Sequence, residues 1–170
     1  GKSSFLLHFE EDLKRSDAGQ LVRNPKLLNE NAAFEILNIV GDYVPLEELL
    51  GTRLLQASAG ESALAGQSAL ELLREHLKQM KKSGKTLVIA IDEFGKILEY
   101  AAKNNPEREL FFLQKLSELI NSPHYQAMFI TTLHQNFNAY ASKLSDVQRD
   151  EWNKVKGRFQ EVVFAEPIAQ

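Results

Sequence analysis

Cysteine is absent from the 170 residues, which removes disulfides, thiolate zinc sites and cysteine nucleophiles together. Long apolar runs are absent too. No stretch approaches the roughly 20 residues that a membrane helix requires, and the start lacks the basic region and apolar stretch of a secretory leader. Charge of one sign is not in excess either. The net charge of −3 leaves no overall electrostatic footprint for DNA or RNA, because backbone phosphates are held by clustered Lys and Arg. These absences predict a cytoplasmic protein without membrane contact, which would meet nucleic acid through a local patch or another domain.

What is present is an ordinary globular composition, 44% hydrophobic and 25% charged, and enough chain to bury a core as a single domain. Apolar residues Phe5, Leu6, Phe9 and Leu13 recur at helical spacing, predicting a helix from Ser3 to about Arg15. "QLVR" (20–23) is a candidate short strand. "NAAFEILNIVGDYV" (31–44) and "PLEELLGTRLLQ" (45–56) read as two helices, the second opened by Pro45, whose fixed φ suits a first turn. "QSALELLREHLKQMKKSG" reads as a long amphipathic helix, with lysines in its last turns and Gly84 at its stop.

"KTLVIAIDEFGK" carries the most information. Its apolar run Leu87–Ile91 predicts a strand buried on both faces, as in a parallel sheet covered by helices. Two helices follow around "NNP", then a second buried strand in "YQAMFITTLHQ", a helix ending at Gly157, and a third strand in "EVVF" (161–164). Phe111 and Phe112 fall in an apolar helical pattern and read as core. Helices alternating with short apolar strands define an α/β layer structure with a mainly parallel sheet.

Ligands of parallel sheets bind at the carboxyl ends of strands, and Asp92 and Glu93 stand at such an end. One carboxylate can hold a hydrated Mg²⁺ while its neighbour orients an attacking water. The plainer alternative is that Asp-Glu only begins the next helix, where acids are favoured. The opening residues weigh against that. Gly1-Lys2-Ser3-Ser4 running into a helix supplies the end of G-x-x-x-x-G-K-[ST], in which Lys2 reaches the β and γ phosphates and the Ser3 hydroxyl meets Mg²⁺. The front half of that loop is expected upstream.

In order along the chain, "GKSS", "LVIAIDEFGK" and "KGRFQEVVFAEP" resemble the core of P-loop ATPases of the AAA+ and STAND group, with origin-recognition relatives among them. The resemblance implies a three-layer P-loop core whose first strand precedes this sequence, and ATP and Mg²⁺ as ligands. It implies phosphate binding by Gly1, Lys2, Ser3 and Ser4, metal contacts from Ser3 and Asp92, and water orientation by Glu93. It also implies a polar sensor after the second strand, where Thr132 is preferred over Thr131 and His134, and an arginine finger at Arg158 that completes a neighbour's site in a homo-oligomer. A helical insertion at about 25–58 departs from the family pattern, and no helical lid follows Gln170. "LHQNFNAYASKLSDVQRDEWNKVKGRF" is faintly similar to segments of large prokaryotic defence-associated ATPases.

Local readings stand beside these. Arg158 can simply cap a helix, since cations are favoured near a helix C-terminus. His134 can make a local hydrogen bond. Trp152, Lys154, Lys156 and Arg158 form either a solvated face or one that meets DNA or a neighbour. The functions in competition are an ATPase that drives conformational change, a STAND-like signalling or defence switch, and a non-catalytic scaffold. A serine hydrolase is remote, because no G-x-S-x-G elbow occurs. The guanine-reading Asn-Lys-x-Asp motif is missing as well, which leans towards ATP.

Overall fold

The computed structural model describes residues 2–14, 33–58 and 66–162, with side chains throughout except at residues 2, 3 and 12–14. Three strands, β1 (Ala33–Val40), β2 (Lys85–Asp92) and β3 (Ala127–Thr131), form one sheet in the order β1-β2-β3. Both pairings are parallel. The described helices are α1 (Lys2–Lys14), α2 (Leu46–Ala57), α3 (Ala69–Lys82), α4 (Phe94–Lys103), α5 (Pro106–Ile120) and α6 (Asp146–Lys156), with a 3₁₀ segment at Phe137–Ala141. The α/β reading with a parallel sheet therefore holds. None of these helices is long and apolar enough to cross a membrane.

The pleat sorts side chains between two layers, because successive residues of a strand point to opposite faces. Leu37 and Ile39 of β1 and Leu87, Ile89 and Ile91 of β2 enter the main core with α2–α6. The alternate residues Phe34, Ile36, Val88, Met128 and Ile130 gather with Phe9 of α1 on the opposite face. Burial on both faces explains why β2 reads as an unbroken apolar run.

Helix boundaries follow their local chemistry. Ser68 and Glu71 form a capping box at α3, and Ser145 and Gln148 form another at α6. The Asn105 side chain caps α5, which has Pro106 at its start. Gly84 takes φ 65 in the turn into β2, a conformation that costs a residue without Cβ least.

Several expectations are corrected. The first helix expected in the insertion at about 25–58, residues 31–44, is in fact β1, paired along its length with β2. Phe34, Ile36 and Ile39 lie at spacings that mimic a helix, but they are aromatic or β-branched residues that suit a pleated, half-buried surface. Phe112 is buried as expected, whereas Phe111 is exposed, since adjacent helical residues cannot share one face. Trp152 is fully buried: its indole N–H donates to the Phe137 carbonyl at 3.2 Å and its ring lies 4.8 Å from that of Phe137. It is therefore no part of an exposed interaction face. Glu161 and Val162 form no strand, and Val163 and Phe164 lie outside the described residues, as do Gly1 and the candidate strand 20–23.

Candidate active site

The carboxyl ends of all three strands are tied together by backbone hydrogen bonds. The Gly41 amide donates to the Asp92 carbonyl at 2.7 Å, the Thr132 amide to the Ile91 carbonyl at 3.1 Å, and the Phe94 amide to the Thr132 carbonyl at 3.1 Å. Gly41 permits this approach. A Cβ there would sit 2.3 Å from the Glu93 carbonyl oxygen, so only a bare backbone fits.

A side-chain network is laid over that frame. The Thr132 hydroxyl donates to Asp92 Oδ1 at 2.5 Å and accepts the Glu93 amide at 3.1 Å, and the same amide also approaches Asp92 Oδ1 at 2.9 Å. One hydroxyl from β3's end thus fixes both the metal-type acid and the backbone of its neighbour. Asp92 is half-buried and continues the β2 face of Val88 that α1 covers.

Glu93 takes φ 54 and ψ 38, the one non-glycine residue with positive φ among the described residues. A left-handed conformation costs a residue with a Cβ roughly 1–2 kcal/mol and persists where its surroundings enforce it. Here the enforcing contacts are Gly41, Thr132 and the Asp92 carboxylate. Glu93 occupies the N-cap position of α4, yet its side chain makes no capping bond, so capping does not account for this acid. Its Oε2 instead lies 2.5 Å from Lys96 Nζ, one helical turn on.

Beside this pair opens a cavity of about 330 Å³, lined by Glu93, Lys96, Glu99, His134, Gln135 and Tyr140. Tyr140 packs onto Gly95, where an added Cβ would fall 2.3 Å from its hydroxyl. Burial pushes the Tyr140 phenol above its ordinary range, against hydrogen bonds from the Gln135 side chain and from the backbone of Gln135 and His134. Tyr140 thereby pins the loop that carries His134 to the first turn of α4.

Of the residues singled out in the sequence, Asp92, Glu93 and Thr132 come together, with His134 across the cavity. Thr131 stays within β3, paired with Ile91. Lys2, Ser3 and Ser4 open α1, but the side chains of Lys2 and Ser3 and all of Gly1 lie outside the description. Arg158 is exposed and donates to Glu118 of α5 at 3.2 Å, with no bond to Asp92, Glu93 or Thr132. Phe159 anchors this turn through ring contacts with Phe129 and Phe137.

Sequence reasoning missed Gly41, Gly95, Lys96 and Tyr140. Lys96 had a legible signal, because Glu93 and Lys96 stand at helical-neighbour spacing. The glycines had none, since their neighbours are distant in sequence.

Among the described residues no three His, Cys, Asp or Glu side chains group to cage a metal. The donor set of Asp92, held by Thr132, suits a hydrated Mg²⁺ brought in with phosphates, because that ion uses one or two carboxylates and keeps water for its other positions.

Comparison with known proteins gives no match: no family model, no curated protein and no solved structure is significantly similar to this chain.

Proposed function

We propose that this chain is the core of a P-loop ATPase of the AAA+ and STAND kind, which binds ATP with Mg²⁺ and hydrolyses it to drive conformational change in a larger, oligomeric protein. The observation that carries this reading is the juxtaposition at the strand ends: Asp92 and Glu93 close the central parallel strand, and the Thr132 hydroxyl from the adjacent strand bonds to both. Acids at a strand's carboxyl end are where an α/β sheet meets its ligand.

In this reading Gly1, Lys2, Ser3 and Ser4 hold the phosphates, Ser3 and Asp92 hold the metal, and Glu93 orients the attacking water. The metal, when bound, supplies charge neutralisation at the phosphates. Thr132 fixes the Asp92 carboxylate and the Glu93 backbone in position. Arg158 is exposed, which suits a finger offered to the site of a second copy.

The test is Glu93→Gln in the full-length protein. ATP binding is expected to persist while turnover falls by about 100-fold or more, the range for losing a general base. Turnover equal to wild type overturns the assignment. A second reading, a nucleotide-controlled switch, gains weight from the Lys96–Glu93 ion pair, which occupies the very carboxylate that turnover needs.

A further inference from the structure

Lys96 has no place in the chemistry assigned above, yet its ammonium is the side-chain partner of Glu93. The contact is 2.5 Å, between side chains 51% and 39% exposed, at the mouth of the cavity. A carboxylate that accepts a hydrogen bond from an ammonium has one oxygen occupied and its negative charge offset, so it is a poorer acceptor for a water proton. The Glu93 backbone is fixed by Gly41 and Thr132, so the freedom left at this position lies in the two side chains.

We propose that Lys96 is a latch on the Glu93 carboxylate, which rests paired with it and leaves it by moving towards Asp42 when the site is active. The proposal rests on the ATPase reading and deepens it by naming a control on the same site.

Asp42 follows Gly41 in the loop leaving β1, and Gly41 abuts the Glu93 carbonyl. Its Oδ1 accepts the Tyr43 amide at 2.8 Å, which holds this second carboxylate on the Glu93 side of the loop. Lys96 feels it: the hydrogen bond and charge of Glu93 raise the ammonium above the ordinary lysine range, and Asp42 adds to that shift. Lys96 therefore has two acceptors, one catalytic in type and one not. An exposed ion pair is weakly held, which is the property a latch needs if nucleotide or a partner is to release it.

The experiment measures steady-state ATP hydrolysis by the full-length protein, wild type against Lys96→Met, Lys96→Arg, Asp42→Asn and Asp42→Asn with Lys96→Met. Lys96→Met should raise kcat about two- to fivefold, the span expected for freeing a carboxylate from an exposed pair, with KM for ATP unchanged. Lys96→Arg, which keeps the cation, should stay at the wild-type rate. Asp42→Asn should lower kcat when Lys96 is present and leave it unchanged when Lys96 is Met, because the latch then has nothing to release. A rise in kcat with that dependence is not what loss of a merely structural contact produces. If Glu93→Gln stops turnover but Lys96→Met leaves kcat equal or lower, the latch is overturned and the ATPase reading stands. Absence of hydrolysis in wild type overturns both.

Discussion

At Thr132 one hydroxyl serves two groups, and its loss should be felt twice. Thr132→Val keeps the shape and removes the donor to Asp92 and the acceptor for the Glu93 amide. A hydrogen bond to a charged group contributes about 1.5–3 kcal/mol, and the site is only half-buried, so the expected destabilisation is about 1–2 kcal/mol. Chemical denaturation measures it. Turnover should fall more than stability does, because the strained Glu93 backbone loses an enforcing contact. A variant that hydrolyses ATP at the wild-type rate would show that Thr132 positions nothing that matters to the reaction. Lys96 belongs to the same scale, since a single ammonium decides which oxygen of the site is available.

At the scale of elements, the start of α4 is set by contacts from other elements. Gly95 lies under the Tyr140 hydroxyl of the 3₁₀ segment, so Gly95→Ala must push that ring or shift the helix. Overpacking of this kind costs about 1–3 kcal/mol. Tyr140→Phe removes the nearest atom, and the double variant should recover part of the loss in a double-mutant cycle of thermal unfolding. Purely additive effects would place the strain elsewhere. Gly41 differs, because the atom its Cβ would meet is backbone and cannot rotate away. The same contact locks the β1 loop to Glu93, which makes the end of β1 part of the site.

At the scale of the whole molecule, one buried acid links stability to pH. Glu109 of α5 is almost fully buried, and this burial raises its carboxyl above the ordinary glutamate value. Arg108 and a hydrogen bond from the Leu46 backbone oppose the shift, and Glu47 reinforces it. The folded state therefore holds this proton more tightly than the unfolded chain does. Its contribution to stability is complete below the unfolded carboxyl pKa and is lost as pH rises through the raised folded value. Glu109→Gln keeps the shape and the acceptor for Leu46 but cannot ionise. Thermal midpoints of wild type should fall further than those of the variant between about pH 4 and pH 7. Parallel curves would mean that Glu109 ionises in the folded state as freely as in the unfolded one.

The sequence by itself determined the elements whose pattern is local. α3, α5 and α6 carry their caps and periodicity within a few residues, and β2 announces itself by an apolar run that only burial on both faces explains. It also marked Asp92, Glu93 and Thr132, because polar residues that end apolar strands stand out. Only the tertiary structure decided that residues 33–40 are a strand, since "AFEILNIV" satisfies helical and extended spacings alike and pairing with β2 selects between them. It also decided that Phe111 faces outward, that Trp152 is core, and that Glu93 is held left-handed between Gly41 and Thr132. Those outcomes depend on contacts between residues far apart in the chain, which packing settles and local pattern does not encode.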